Sequence, residues 1–168
     1  EGKFDYLEVG EGETLMLCHG LFGALSNFSD LIEKFRHTHK VVVPILPLFD
    51  LDILHTSVSG LEKHIAAFIV HKNYTNIHLL GNSLGGHVAL VYILKHPERV
   101  KSLTLTGSSG LFENAMGDSY PKRGDYEYIK NKTAQTFYDP AVATPALVDE
   151  VFEITKNRIK VIKIIALA

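Results

Sequence analysis

The sequence predicts an α/β fold, with a mostly parallel, twisted sheet and helices on both of its faces. Short apolar runs alternate with segments of helical periodicity between residues 14 and 110, as is typical of parallel strands joined by right-handed helical crossovers. Two glycine-rich turns, at residues 19–23 and 81–86, directly follow apolar runs. Ligands of such sheets bind outside the carboxyl ends of the strands, where we expect both turns to lie.

Five runs are predicted to be strands, at residues 4–9, 14–18, 41–45, 77–80 and 100–106. The first alternates apolar and polar residues, as expected of a strand with one solvated face, and the next three are apolar enough to be buried. Pro44 and Pro47 are expected to end the third strand, because proline cannot donate to a sheet ladder.

Helical periodicity predicts a crossover helix after each of three strands. The first has apolar residues at helical spacing between positions 28 and 35, with Ser26 or Asn27 as its expected N-cap. The second is expected after Ser59-Gly60. The third follows the second glycine-rich turn and ends near His96.

The alternation stops after Leu111, and residues 112–168 carry no strand pattern. Three helices are predicted there, at residues 126–132, from Thr144-Pro145 onward, and at residues 159–168. Thr144 is a good N-cap, and proline suits the first position of a helix. The sequence therefore predicts two parts, residues 1–111 and residues 112–168.

Ser83 lies between an apolar run and a helical segment, inside the turn Gly-Asn-Ser-Leu-Gly-Gly. Gly81 and Gly85 are expected to be required there, because a Cβ at either position would collide with neighbouring backbone. This G-x-S-x-G spacing is the nucleophile-elbow pattern, which holds a serine hydroxyl above the carboxyl end of a sheet. The alternative interpretation is a tight glycine-rich turn without chemistry.

These two turns, in this order, make the chain resemble the α/β-hydrolase superfamily. His-Gly-Leu-Phe-Gly at 19–23 is similar to the oxyanion-hole motif of its lipases and esterases. The turn at 81–86 is similar to the elbow of esterases and of carbon–carbon bond hydrolases. The resemblance implies an α/β-hydrolase fold, with residues 1–111 as the N-terminal portion of its core and residues 112–168 as a partial helical cap.

The resemblance also implies an acyl-transfer site. Ser83 is the expected nucleophile, and the backbone N–H groups of Leu84 and Leu21 are expected to hold the oxyanion, with Phe22 as the second choice after Leu21. Candidates for the lining of a substrate pocket are Phe22, Phe49 and Phe112, for which the hydrophobic core is an equal alternative. No cofactor and no metal are expected.

A nucleophilic serine needs a histidine base and a carboxylate that orients it. In this superfamily the chain order is Ser, acid, His, but only His87 and His96 follow Ser83. Both fall on the predicted helix that leads away from the hydroxyl, so we expect neither to reach it. No carboxylate directly follows the strand that ends at Thr106. We therefore expect a truncated hydrolase, with acid and base beyond Ala168, that is inactive or nearly so by itself.

Composition fits a single globular domain of 168 residues with a net charge of -2. This charge gives no reason to expect binding to nucleic acid or to an anionic membrane. The single cysteine, Cys18, cannot form an internal disulfide, so a cytoplasmic location is expected.

The function predicted from these observations is a serine hydrolase acting on a carboxylic ester or a similar small acyl substrate. One alternative is a carbon–carbon bond hydrolase of the same superfamily, because the same elbow supports that chemistry. The other is a non-catalytic binding module that keeps the fold. The expected partner is a small-molecule substrate, and the oligomeric state is left open.

Overall fold

The computed structural model of the chain describes residues 4–22, 25–111 and 124–167. The chain forms two compact units, Glu1–Glu113 with Leu167–Ala168, and Asn114–Ala166. The described part of the first unit holds a five-stranded sheet with α-helices, and that of the second unit holds α-helices and no strand.

The strands of the first unit are β1 (Tyr6–Val9), β2 (Glu13–Cys18), β3 (His39–Pro44), β4 (Ile77–Asn82) and β5 (Val100–Thr106). Its α-helices are α1 (Ser29–Phe35), α2 (Val58–His71) and α3 (Leu84–Lys95), with 3₁₀ turns at Ser26–Phe28 and Pro97–Arg99. The strand order is β1-β3-β2-β4-β5, with β1 antiparallel to β3 and every other neighbouring pair parallel.

The strand order creates a topological switch point between β2 and β4. From β2 the chain crosses through α1 to β3 on one side, then returns through α2 to β4 on the other side. The parallel register pairs Cys18, the last residue of β2, with Gly81 of β4. The carboxyl ends of these two strands are therefore neighbours, and a crevice at such a point is where ligands bind in open α/β sheets.

Each face of the sheet has its own apolar core, because successive side chains of a strand point to opposite faces. Val41 and Val43 of β3 pack on the face that is covered by α1, where they meet Leu17 and Phe28. Val42 packs on the opposite face, which is covered by α2 and α3. The buried residues that these two helices contribute are Leu61, Ile65, Phe68, Ile69, Leu84, Val88, Ala89 and Tyr92. The predicted α/β class, with a mostly parallel sheet and helices on both faces, is confirmed.

Pro44 ends β3, as predicted. This strand pairs with β2 only as far as Val42, so the missing N–H of Pro44 removes no bond from that ladder. Two local predictions were wrong. Neither predicted residue caps α1, because the 3₁₀ turn precedes that helix and the Asn27 amide donates to the Phe22 carbonyl at 2.9 Å. Helix α2 begins at Val58, before Gly60, whose N–H donates to the capping Ser57 hydroxyl at 3.0 Å.

The second unit contains α4 (Tyr126–Gln135), α5 (Pro145–Lys156) and all but the last residue of α6 (Arg158–Leu167), with a 3₁₀ turn at Pro140–Val142. The N-cap predicted for α5 is confirmed, because the Thr144 hydroxyl accepts a bond from the Leu147 N–H at 3.4 Å. The predicted boundary after residue 111 adjoins residues outside the described ones and stays a prediction. Among the described residues, every helix is too short or too polar to cross a bilayer.

Candidate functional site

Ser83 alone joins β4 to α3, because the strand ends at Asn82 and the helix begins at Leu84. Its φ of 52° and ψ of -121° lie in a region that residues with a Cβ rarely occupy. The Ser83 N–H donates to the Thr106 carbonyl at 3.1 Å, and the Ser83 carbonyl accepts from the N–H groups of Gly86 and Ser109. The sharp bend is therefore held by its own helix and by the segment at the end of β5.

Both glycines that flank the bend are required by close backbone approach, as the sequence predicts. A Cβ at Gly85 would lie 2.1 Å from the carbonyl oxygen of Cys18 and 2.5 Å from that of His19. A Cβ at Gly81 would lie 2.5 Å from the Cα of Gly86. Helix α3 can leave the sheet directly under the end of β2 only because these side chains are absent.

The glycine-rich turn after β2 lies beside Ser83. A Cβ at Gly20 would lie 3.2 Å from the Ser83 Cβ, so the two turns meet at the switch point. The side chains of Leu84, Leu21 and Phe49 belong to one apolar cluster, in which Leu84 is buried and the other two are partly buried. The residue after Ser83, the residue after Gly20 and one of the pocket candidates therefore belong to the same core.

The other two candidates for the pocket lining are Phe22 and Phe112. The Phe22 carbonyl accepts the bond from the Asn27 amide described above, which anchors this turn at its end. Phe112 lies outside the described residues.

Asn82 contributes to this site in a way that was not predicted from sequence. Its amide donates to the Thr106 carbonyl and to the Thr106 hydroxyl, each at 3.1 Å. It therefore fixes the end of β5 to the residue before Ser83. A polar side chain at the last position of an otherwise apolar strand was the available signal.

His19 is 3% exposed and is hydrogen-bonded through both ring nitrogens. Leu46 donates its N–H to Nε2 at 2.9 Å, so Nε2 carries no proton and Nδ1–H donates to the Gly20 carbonyl at 2.7 Å. Burial lowers the pKa of the imidazole below its usual 6.5, opposed by the bond to Gly20. A neutral ring with both nitrogens engaged cannot take a proton from a serine.

Acidification is expected to lower the free energy of unfolding through His19. Burial lowers the pKa of His19 in the folded chain, so below about pH 6.5 the unfolded chain binds a proton that the folded chain does not. The free energy of unfolding should therefore fall by up to about 1.4 kcal/mol for each pH unit of acidification. Urea unfolding between pH 8 and pH 5.5 measures this slope. The slope should be smaller in the His19→Asn protein, although part remains because burial also lowers the pKa of His64.

The matched control for this prediction is His37→Asn, since the His37 side chain is 67% exposed and pairs with the exposed Glu33. This variant should keep the slope of the unchanged protein. Equal slopes in the unchanged protein and in the His19→Asn protein would contradict the prediction.

The two histidines that follow Ser83 are engaged elsewhere. The His87 ring packs against Gly110, where an added Cβ would lie 2.5 Å from the Cδ2 atom of the ring. The His96 Nε2 lies 3.8 Å from a carboxylate oxygen of the buried Glu62, at the far end of α3. In the part of the chain that the structure describes, no histidine is hydrogen-bonded to the Ser83 hydroxyl.

Cys18 lies at the end of β2, beneath the Ser83 turn. Its side chain is fully buried, and this burial raises the pKa of the thiol to about 12. The thiol is therefore protonated at neutral pH and is a poor nucleophile.

Within residues 4–22, 25–111 and 124–167, no group of three or more His, Cys, Asp or Glu side chains could hold a metal ion. A cavity of about 360 Å³ lies away from Ser83, against the face of the sheet that carries α1. It is lined by Leu15, Leu31, Phe35, His39, His78, Leu79, Leu80, Ser102 and Thr104.

The family model described as "alpha/beta hydrolase fold" matches residues 13–141, which include both glycine-rich turns. The chain belongs to the α/β-hydrolase family. The fold agrees: over 99% of its length, this α/β-hydrolase chain superposes with a TM-score of 0.74 on MGS-MChE2, an alpha/beta hydrolase enzyme from a sediment metagenome of the Mar Chica lagoon, Morocco. The two sequences are 39% identical, and 61% of the MGS-MChE2 chain is covered.

Curated relatives of this α/β hydrolase include hydrolases of different names. It is 29% identical to Lipase 1 of Psychrobacter immobilis over 70% of its own length and 39% of the lipase. It is 35% identical to a 2-hydroxy-6-oxononadienedioate/2-hydroxy-6-oxononatrienedioate hydrolase of Pseudomonas putida, over 61% of its own length and 39% of that enzyme. The chain therefore spans about two fifths of the length of the curated relatives that it matches.

Proposed function

We propose that this α/β hydrolase is a serine hydrolase that acts on a carboxylic ester or a similar small acyl substrate, with Ser83 as its nucleophile. The observation that carries the proposal is the meeting of the two turns. Ser83 stands on a sharp backbone bend with a positive φ, and Gly20 lies against its Cβ. At a topological switch point, this places a hydroxyl beside two stretches of backbone that can supply N–H donors.

The proposed oxyanion donors are the backbone N–H groups of Leu84 and Leu21, with Phe22 as the second choice. Leu84 is the first residue of α3, whose early N–H groups have no acceptor within the helix. When the Ser83 oxygen adds to the ester carbonyl, negative charge develops on the carbonyl oxygen. Each fixed donor aimed at that oxygen contributes about 2.7–4 kcal/mol in comparable sites.

The base and the acid of the triad are proposed to lie outside these 168 residues. This proposal rests on the histidines: the ring of His19 is fully engaged, and those of His87 and His96 contact other groups. The chain by itself should then hydrolyse esters slowly, because an oxyanion hole and binding alone leave a residual acceleration of about 10³–10⁴-fold over water. No cofactor or metal takes part in the proposed reaction.

The surroundings of the site extend the proposal. Phe49, which packs in the same apolar cluster as Leu84, is proposed to line the acyl pocket together with Phe22 and Phe112. We also propose that residues 112–168 belong to a helical cap and that the protein works in the cytoplasm, where its single thiol stays reduced.

Carbon–carbon bond hydrolysis is the second candidate. It is favoured by the 35% identity to the Pseudomonas putida hydrolase, which exceeds the 29% identity to Lipase 1. Both reactions need the same hydroxyl and the same oxyanion donors, so the bond that breaks depends on the rest of the pocket.

Parallel assays with p-nitrophenyl acetate and a 2-hydroxy-6-oxo-dienoate separate these candidates. The ester is chosen because p-nitrophenolate leaves without a proton from a catalytic acid, so a chain without the triad acid can still release it. Both reactions are followed by chromatography of the products. We expect release of p-nitrophenol above the rate in buffer and no cleavage of the dienoate. Cleavage of the dienoate alone would support the second candidate, and turnover of neither with retained ester binding would support a binding module.

A further inference from the structure

We propose that His19 is a positioning residue of the oxyanion hole. It holds the carbonyl of the peptide unit between Gly20 and Leu21, and it thereby sets the direction of the Leu21 N–H on the other side of that unit. The inference rests on the proposed function, since it concerns the donor assigned there to Leu21. It starts from the bond of His19 Nδ1–H to the Gly20 carbonyl at 2.7 Å.

The peptide geometry carries the argument. The described peptide bonds, including that between Gly20 and Leu21, are trans. In a trans peptide the carbonyl and the N–H of one planar unit point in opposite directions. A carbonyl of Gly20 that is held toward the buried imidazole therefore directs the Leu21 N–H away from the interior. Gly20 needs such a constraint, because glycine is the residue with the widest choice of backbone angles.

The second bond of the ring fixes the imidazole itself. Leu46, which is 3% exposed and follows β3, donates its N–H to Nε2 at 2.9 Å. The ring therefore bridges the turn after β2 and the segment after β3, and it cannot rotate without losing one of its two bonds. With Nε2 as acceptor, Nδ1 must carry the proton, so Leu46 also selects the tautomer that can hold Gly20.

Two substitutions separate the two bonds of this ring. Asparagine places an amide nitrogen near the position of Nδ1, so His19→Asn can keep the bond to the Gly20 carbonyl and loses the bond to Leu46. Glutamine places its amide near the position of Nε2, so His19→Gln can accept from the Leu46 N–H and loses the bond to Gly20. A merely structural role for His19 predicts similar kinetics for both variants.

The test measures p-nitrophenyl acetate hydrolysis and amide NMR spectra of the chain and its two variants. We expect His19→Gln to lower kcat about 10- to 100-fold with KM within about threefold, less than the loss of a whole oxyanion donor. His19→Asn should stay within about fivefold of the unchanged kcat. The Leu21 amide resonance should move in the glutamine variant and keep its position in the asparagine variant. Equal kcat values or equal Leu21 shifts for the two variants would overturn the proposal.

A measurement on the unchanged protein covers the case in which both variants unfold. Long-range ¹H–¹⁵N spectra of the histidine rings report the tautomer, and we expect Nδ1 protonated and Nε2 bare at His19. A proton on Nε2 would overturn the proposal. Failure of the proposed function is distinguishable from failure of this inference. If Ser83 is not the nucleophile, turnover will not depend on Ser83. The tautomer of His19 and the Leu21 resonance still decide the role of His19 in that case.

Discussion

The Ser83→Ala protein is expected to form no covalent adduct with a fluorophosphonate probe, whereas the unchanged protein forms one at this residue. The probe phosphonylates a serine whose oxygen attacks and whose oxyanion is held by fixed donors, and these are the roles that we propose for Ser83 and the neighbouring N–H groups. The unchanged protein should react slowly, because no histidine of the described residues is hydrogen-bonded to this hydroxyl. The rate of adduct formation should fall at least about 10³-fold in the variant, since the nucleophile is absent.

Intact mass and peptide mapping measure this effect. The control is Ser108→Ala, because Ser108 lies beside the same turn: a Cβ at Gly86 would lie 2.5 Å from its hydroxyl oxygen. That hydroxyl already donates to the Ser109 carbonyl at 2.8 Å, so its removal should leave labelling intact. An adduct that persists in the Ser83→Ala protein, or that maps to another residue, would contradict the assignment of the nucleophile.

The Gly85→Ala protein is expected to lose about 4 kcal/mol or more of its free energy of unfolding. Alanine is favoured over glycine in a helix by about 1 kcal/mol, so helix propensity alone predicts the opposite sign. The new Cβ would, however, lie 2.1 Å from the Cys18 carbonyl oxygen, and that atom belongs to the central strand of the sheet. Neither the strand nor the helix can shift without opening the core between them.

Thermal and urea unfolding measure this loss, which corresponds to a fall in Tm of about 10 °C for a chain of this size. Gly124→Ala is the matched control, because no atom lies within 4 Å of its added Cβ. It should change the free energy of unfolding by less than about 0.5 kcal/mol. Full stability of the Gly85→Ala protein would show that α3 does not approach β2 as closely as the structure places it.

Local signals in the sequence were enough for much of this fold. The strand Val100–Thr106 was predicted to the residue, and so was the cap at Thr144, because each depends on residues a few positions apart. The start of α2 was misplaced because Ser57 and Ser59 are equally good caps by composition. Only the packing of Gly60 distinguishes them, since a Cβ there would lie 2.0 Å from the His55 carbonyl oxygen.

The candidate site was predictable in outline and not in detail. The glycine spacing around Ser83 follows from backbone sterics, which act within the turn at Gly81 and between the turn and the end of β2 at Gly85. The bond between His19 and Leu46 joins residues 27 positions apart, and the bonds from Asn82 to Thr106 span 24 positions. Such contacts depend on the strand order and register, which periodicity does not specify.

The backbone angles of Ser83 also oppose the stability of the fold to the presence of a reactive side chain. A side chain at a φ of 52° and ψ of -121° costs about 1–3 kcal/mol relative to a relaxed conformation, and glycine would avoid most of that cost. Selection for heat resistance alone would therefore remove the hydroxyl. A serine retained at this strained position fits the nucleophile role that we propose for it.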